Sequence, residues 1–396
     1  MVRPIINGGT HLHSQGQDYD RHLPPHVLQR SRMQNAPHSR ELIVSLLAND
    51  ADKITGVSSY TFSLLGAMEA AHEGPLRLIT TWSPAGVAAM GLVRTNVVHV
   101  PAGRTGLFTP IGYTLATNRL LKRESGAVLL STSPMGSFIS PVPQITVFHD
   151  LYRRIPGRYA WHQRMFFEGY ARAALRASSA VVAVSNTTAK DVLAWAPSVS
   201  DKLHVIGEGS QFASEPSYDP DHLGLLFVAN IEANKNVGCL LDALRLLEQA
   251  GEDVEVRWIG RDRSGEVGRW LASNGPLQSL IPLGVLDNAS LAAEYRRAGA
   301  LVVTSTAEGF CLPVVEAHGF GLPTILSDIP ILREVGGDAG LYFSPEHPED
   351  LVAAILRLRS DRRLRQALSA SGGVNAKRHG WDKAAASILQ LAKTLR

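Results

Sequence analysis

Two α/β domains in tandem, each a doubly wound, Rossmann-like parallel sheet, with a central cleft between them, are predicted by three features of the sequence. From Glu41 onward short apolar runs alternate with segments of helical period, as in repeated strand-helix units. The pattern stops at residues 207–222 (GEGSQFASEPSYDPDH), whose turn-forming composition marks a linker, and then starts again. The sequence has no self-similarity at the short periods of a solenoid.

The elements follow in order. Residues 1–39 lack a sustained period, are rich in His, Gln, Pro and Arg, and read as a flexible extension. The first domain, 40–210, opens with a buried strand at 42–47 and a polar loop holding Gly56, then a helix over 58–71. Further strands are expected at 76–80, 96–100, 127–131, 144–149, 180–185 and 202–206. The second domain, 211–380, repeats the design with strands at 225–230, 254–260, 280–284, 300–305, 323–327 and 340–344. The tail, 381–396, carries Ala385, Ile388, Leu389, Ala392 and Leu395 at helical spacing and should pack as a helix.

Composition narrows the function. With 396 residues, 45% of them hydrophobic and 19% charged, the chain has an ordinary globular profile. No window approaches the roughly 20 apolar residues needed to span a bilayer, and the first forty residues lack the pattern of a secretory signal. The chain is therefore expected in the cytoplasm, with peripheral attachment to the inner face of the cytoplasmic membrane left open. Two cysteines make no disulfide framework, and no zinc-ligand spacing occurs. The net charge of +3 is uneven: residues 1–210 hold 20 Lys/Arg against 13 Asp/Glu, so the first half is basic and suited to anionic partners. His11 and His13 form a pair without a third ligand.

Open parallel sheets bind ligands at the carboxyl ends of their strands. The most informative segment, 305–323 (STAEGFCLPVVEAHGFGLP), follows such a strand and should form a loop and then a helix from about Leu312 to Phe320. A helix start facing the cleft offers unpaired N–H groups and about half a positive charge, a seat for phosphate or sugar hydroxyls. Glu308 precedes that helix and Glu316 lies eight residues later. Carboxylates there suit polyols, since each oxygen accepts from a hydroxyl; taken singly, Glu308 reads rather as a helix cap and Glu316 as a solvated face residue.

Together these residues resemble a known family. The Glu-x7-Glu pattern of 308–316, followed by SDIPILREVGGDAGLYFSPEHPEDL (327–351), resembles the retaining nucleotide-sugar glycosyltransferases of family 4, which have the GT-B fold. The likeness extends through LLFVANIEANKNVGCLLDAL (225–244), and through TGVSSYTFSLL (55–65), TVFHDL (146–151) and AVVAVSNTTAKDVL (180–193), so that it covers about residues 40–396. Bacterial mannosyltransferases of polysaccharide synthesis are the most similar members.

The resemblance implies roles residue by residue. Glu308 matches the glutamate close to the donor sugar, with the amides of Gly309, Phe310, Cys311 and Leu312 meeting the sugar hydroxyls and diphosphate. Glu316 matches the glutamate that holds the ribose. Lys235 matches the lysine that neutralises the departing diphosphate. Asn230 and Asn234 stand where members often carry arginine, so either Lys235 and the helix terminus suffice for the diphosphate or another cation, such as Arg261 or Arg263, reaches in. His149 matches the histidine that contacts the donor sugar or acceptor hydroxyl, and its imidazole could switch roles near neutral pH, with Asp150 beside it on the acceptor side. Gly56 matches a glycine by the donor phosphate. No metal or other cofactor is expected, and Asp50-x-Asp52 is read as an ordinary acidic loop.

The partners so implied are a nucleotide-sugar donor, first GDP-mannose and alternatively a UDP-hexose, and a glycan or lipid-linked glycan acceptor. A non-catalytic sugar-nucleotide sensor is the rival class. Nucleic acid is not expected, for want of a basic aromatic motif. Residues 104–123 mix Arg104, Arg119, Lys122 and Arg123 with Leu107, Phe108, Ile111, Tyr113 and Leu115, which fits either an anionic membrane surface or a core-packed helix with a charged outer side.

Overall fold

The computed structural model describes residues 41–47, 55–72, 74–101, 109–124, 126–150, 160–212 and 216–395. The N-terminal extension with His11 and His13, Asp50, Asp52, and the segment with Arg104, Leu107 and Phe108 lie outside them.

The first parallel sheet contains β1 (Leu42–Leu46), β2 (Leu76–Thr80), β3 (Asn96–His99), β4 (Val128–Ser131), β5 (Gln144–Phe148), β6 (Ala180–Ala183) and β7 (Leu203–Val205), in the order β3-β2-β1-β4-β5-β6-β7. The second contains β8 (Leu225–Val228), β9 (Val256–Ile259), β10 (Leu280–Gly284), β11 (Ala300–Val303), β12 (Thr324–Ser327) and β13 (Gly340–Phe343), in the order β10-β9-β8-β11-β12-β13. The second is the 3-2-1-4-5-6 arrangement, in which strand order reverses beside the first strand, and the first has the same order with a seventh strand added at the β6 edge. Strands covered on both faces need to be largely apolar, and β1 is so except at Ser45: Leu42, Ile43, Val44 and Leu46 are all at most 3% exposed. Each such side chain contributes about 1.5–3 kcal/mol by leaving water.

Helices α1 (Gly56–Ala71), α2 (Pro84–Ala88), α3 (Thr109–Leu121), α4 (Trp161–Ala177) and α5 (Asn186–Trp195) accompany the first sheet. With the second come α6 (Val237–Gln249), α7 (Glu266–Asn274), α8 (Asn288–Arg297), α9 (Leu312–Gly319), α10 (Pro330–Gly336), α11 (Pro348–Ser360), α12 (Arg362–Ala376) and α13 (Trp381–Thr394). Each expected strand forms within a few residues of its sequence position. The loop read at Gly56 is instead the first turn of α1, because Thr55 and Ser58 make a reciprocal capping box: Ser58 N–H donates to Thr55 Oγ1 (3.2 Å) and Thr55 N–H to Ser58 Oγ (2.7 Å).

The tail helix α13 returns to the first domain. It packs along α1, burying Trp381, Ala384, Ala385, Ile388 and Leu389, and the Trp381 ring meets Tyr60 edge-on with centroids 5.2 Å apart. Gly209 permits the linker to pass here, since a Cβ on it would lie 2.3 Å from the Trp381 nitrogen.

Candidate active site

In the second domain the strand order reverses between β8 and β11, and the loops following those two strands carry the chemistry. After β8 the chain makes a short 3-10 turn at Ala233–Lys235, and Asn236 takes a left-handed conformation (φ 49°) to start α6. The loop after β11 is laced to that turn: Thr306 N–H donates to the Asn234 carbonyl (2.9 Å), Asn234 Nδ2 to the Ala307 carbonyl (2.9 Å) and Thr304 Oγ1 to the Lys235 carbonyl (2.7 Å). Lys235 and Glu308 are thereby brought together, with Nζ 2.5 Å from Glu308 Oε1, which also accepts from Ser305 Oγ (2.6 Å). The carboxylate outweighs the cost of burial and raises the Lys235 pKa, so the ammonium stays charged.

Beside this pair lies the start of α9. Its N-cap is Cys311, a non-glycine residue held at φ 81°, and no side chain caps the helix. The amides of Phe310, Cys311 and Leu312 have no hydrogen-bond partner among the described residues. An uncapped helix start with its donors free beside a lysine is an anion-binding arrangement. Burial pushes the Cys311 thiol pKa up, so it adds no thiolate to the site.

These groups line a cavity of about 590 Å³ between the domains. Thr55, Gly56, His149, Asp150 and Glu208 form its other wall, so Gly56, His149, Asp150, Asn230, Lys235, Glu308, Gly309, Phe310, Cys311 and Leu312 all meet in one cleft. Gly309 is where the walls touch. Ser185 Oγ (2.8 Å) and Thr188 Oγ1 (3.2 Å) donate to its carbonyl, and a Cβ on it would lie 1.8 Å from the His149 carbonyl oxygen. Glu334 of α10 joins the domains further out, accepting from the backbone and side chains of Asn186 and Thr187 at 2.6–2.9 Å. Gly56 itself has open space around it among the described residues.

Three of the expected site residues have surroundings that the sequence did not show. Glu316 is off the cavity wall: it is 4% exposed, and its two oxygens accept from Tyr295 Oη (2.8 Å) and Gln211 Nε2 (3.0 Å). Burial raises its pKa to about 7, though both hydrogen bonds pull the other way. Its place one turn inside α9 turns it toward the buried Tyr295 of α8, a pairing that spacing along one helix could not reveal. Arg261 is exposed and outside the lining; Arg263 takes its place there, 3.4 Å from Glu232. The Arg261 amide donates to Asn230 Oδ1 (3.1 Å) and its carbonyl accepts from the Ile231 amide, which fixes that turn alongside β8. Finally, both nitrogens of the His149 ring are engaged. Nδ1 lies 3.0 Å from Glu208 Oε1 and Nε2 lies 2.9 Å from the Thr132 carbonyl. Glu208, Gln211, Tyr295 and Arg263 were not singled out in the sequence as partners of these residues, with Arg263 only an alternative cation, because each meets its partner through the tertiary fold.

Among the described residues no group of three or more His, Cys, Asp or Glu is arranged to hold a metal ion, and no helix is long and apolar enough to cross a membrane.

The comparisons with known proteins agree with this architecture. The family described as Glycosyltransferase Family 4 matches residues 54–209, and that described as Glycosyl transferases group 1 matches residues 210–373. An O-antigen chain mannosyltransferase B from Escherichia coli is 29% identical over 183 residues, 43% of this chain and 45% of the relative. A D-inositol 3-phosphate glycosyltransferase from Streptomyces bingchenggensis is 32% identical over 180 residues, 42% of this chain and 40% of the relative. The chain thus matches less than half the length of these curated relatives. Among solved structures, sucrose-phosphate synthase from Thermosynechococcus elongatus superposes with a TM-score of 0.72 at 18% identity, over 89% of this chain and 98% of that one. HepE from Anabaena, in complex with UDP and glucose, superposes with a TM-score of 0.71 at 16% identity, over 90% of this chain and 100% of that one.

Proposed function

The chain belongs to glycosyltransferase family 4 and is built on the GT-B fold, and from that premise we propose that it is a retaining hexosyltransferase moving mannose from GDP-mannose to an acceptor hydroxyl. One observation carries the reading: the Lys235 ammonium, the free amides of Phe310 to Leu312 and the Glu308 carboxylate converge on one wall of a ligand-sized cleft. The ammonium and amides stabilise charge on the departing diphosphate, and being preorganised they need no rearrangement as the bond breaks. Glu308 and the Gly309 backbone hold the sugar. In a front-face displacement the leaving diphosphate takes the acceptor's proton, so no side chain of the opposite wall has to act as base. Contact between the domains at Gly309 keeps water from the sugar.

Mannose as the sugar is supported by the mannosyltransferase among the relatives. A lipid-linked oligosaccharide of exopolysaccharide or lipopolysaccharide synthesis is the proposed acceptor. Exposed apolar side chains on two helices of the first domain support this reading. On α3, Leu115 is 47% exposed, and on α4, Trp161 and Met165 are 78% and 65% exposed. Exposed Arg119, Arg164 and Arg172 belong to the same two helices, which Tyr170 ties together through Thr114 and Pro110. Aromatic and aliphatic groups set among arginines suit the interface of an anionic membrane.

The test is turnover. With GDP-mannose and a lipid-linked glycan acceptor, the protein should form an α-mannoside that retains the donor's anomeric configuration by NMR, undiminished by EDTA. Transfer from UDP-hexoses alone would change the donor; tight donor binding without transfer to any acceptor would make the protein a sensor. Sedimentation with anionic but not zwitterionic vesicles tests the membrane face.

A further inference from the structure

The linker between the sheets contributes a residue to the cleft. Glu208, two residues past the Ile206 that pairs its amide with the Ala183 carbonyl, is 5% exposed and yet lines the cavity. A buried carboxylate needs a charged or hydrogen-bonding partner, and Glu208 has one in His149 Nδ1 at 3.0 Å. The other ring nitrogen fixes the protonation state. Nε2 lies 2.9 Å from the Thr132 carbonyl, which can only accept, so Nε2 carries a hydrogen. A carboxylate at Nδ1 likewise accepts, which puts a second hydrogen on the same ring. Tyr60 meets the imidazole edge-on, centroids 4.6 Å apart at 85°, and holds the ring plane.

We propose that Glu208 is a positioning residue that holds His149 as a doubly hydrogen-bonded imidazolium on the cleft wall. The groups facing His149 agree. Burial alone would lower its pKa; the hydrogen bond and charge of Glu208, then the Thr132 carbonyl and then Asp150, raise it above the ordinary value. Tyr60, the remaining titratable neighbour, is kept neutral by burial and by the Glu208 charge. His149 therefore takes no proton from the acceptor. It presents a fixed, correctly turned ring, and the linker that joins the domains sets its orientation.

The experiment has a spectral arm that needs no substrate and a kinetic arm that rests on the transferase reading. In the first, the full chain labelled with ¹⁵N-histidine is followed by long-range ¹H–¹⁵N correlation, His149 being assigned by the signal lost in His149→Gln. At pH 7.5 the wild type and Glu208→Asp should show both ring nitrogens protonated. In Glu208→Gln, which keeps an acceptor but no charge, the ring should titrate at least one pH unit lower. A neutral wild-type ring, or a Glu208→Gln midpoint equal to wild type, overturns the proposal; the wild-type spectrum decides alone should the glutamine variant not fold. In the second arm Glu208→Gln should lose about tenfold in kcat at pH 7.5 with the donor KM nearly unchanged, and recover as pH falls to 6. A loss that does not recover at low pH contradicts the charge-holding role. Absence of turnover in the wild type would sink the transferase reading and leave the spectral arm standing.

Discussion

The two walls of the cleft are built on the same sheet topology and prepared in opposite ways. On the second-domain wall the polar groups are left open: the amides of residues 310–312 are unpaired among the described residues, and Lys235 shares its charge with a single glutamate oxygen. On the first-domain wall the principal group is saturated, with both His149 nitrogens committed to Glu208 and Thr132. An open set of donors waits for an anion, whereas a closed set gives shape. Under the proposed function, the difference assigns binding energy for the donor to the loops after β8 and β11, and gives the first domain the role of a wall for that donor to be pressed against.

Removing the open wall's cation is the sharpest way to break this comparison. Lys235→Ala should lower kcat by about 10²-fold or more, as expected for losing a preorganised charge on the leaving group, with correct folding checked by circular dichroism. It would also leave Glu308 without its cation. If instead the first-domain wall carried the charge stabilisation, Lys235→Ala would cost little and His149→Gln would cost more.

Gly309→Ala tests whether the walls must touch. The added methyl would lie 1.8 Å from the His149 carbonyl oxygen, so the domains must part or the donor loop must move. We expect at least a tenfold fall in kcat in steady-state assays, with donor hydrolysis rising relative to transfer as water gains entry. Glu334→Ala loosens the same contact from a distance by removing four hydrogen bonds to Asn186 and Thr187 at the start of α5. Its loss should cost about 1 kcal/mol of closure, the scale of a helix cap, and small-angle scattering should report a larger radius of gyration.

Glu316→Gln gives the smallest effect on the cleft and sharpens the contrast between the two family glutamates. The Glu316 pKa, raised to about 7 by burial, means that the folded protein binds a proton there which the unfolded chain has released. Stability is therefore lost as pH rises from about 4 towards 7, by up to about 3 kcal/mol, and stays lost above 7. Glutamine keeps an acceptor for Tyr295 without the charge. The variant should melt higher than wild type at pH 8, and the gain should shrink steadily as the pH is lowered below 7. A variant less stable than wild type at pH 8 would show that the carboxylate is held charged by groups other than Tyr295 and Gln211.

Much of this architecture is legible in the chain because it depends on neighbours in sequence. Strands such as LRLIT and LIPLG form where apolar runs place them, and α9 begins at Leu312 as the loop EGFCLP suggests. Glu308 and Lys235 were singled out through the family resemblance, and they meet because the loops after β8 and β11 lie at a topological switch point. What stayed hidden depends on distant pairs. The saturation of His149 comes from a linker glutamate 59 positions away, and Glu316 turns inward because Tyr295 of another helix receives it. That Arg263 rather than Arg261 lines the cleft depends on the turn that follows β9, which spacing alone does not give. The tail helix announced its own period but not that α1 would be its partner.

The central claim is that the open wall alone holds the donor, and titration calorimetry of the ligand-free protein tests it most directly. GDP, UDP, GDP-mannose and UDP-glucose are titrated into wild type, Lys235→Ala and His149→Gln in the presence of EDTA. The account predicts selective binding of one nucleotide by the wild type, at least tenfold weaker binding by Lys235→Ala, and nearly unchanged binding by His149→Gln. Binding that survives in Lys235→Ala and fails in His149→Gln, or no binding by a folded wild type, would contradict it.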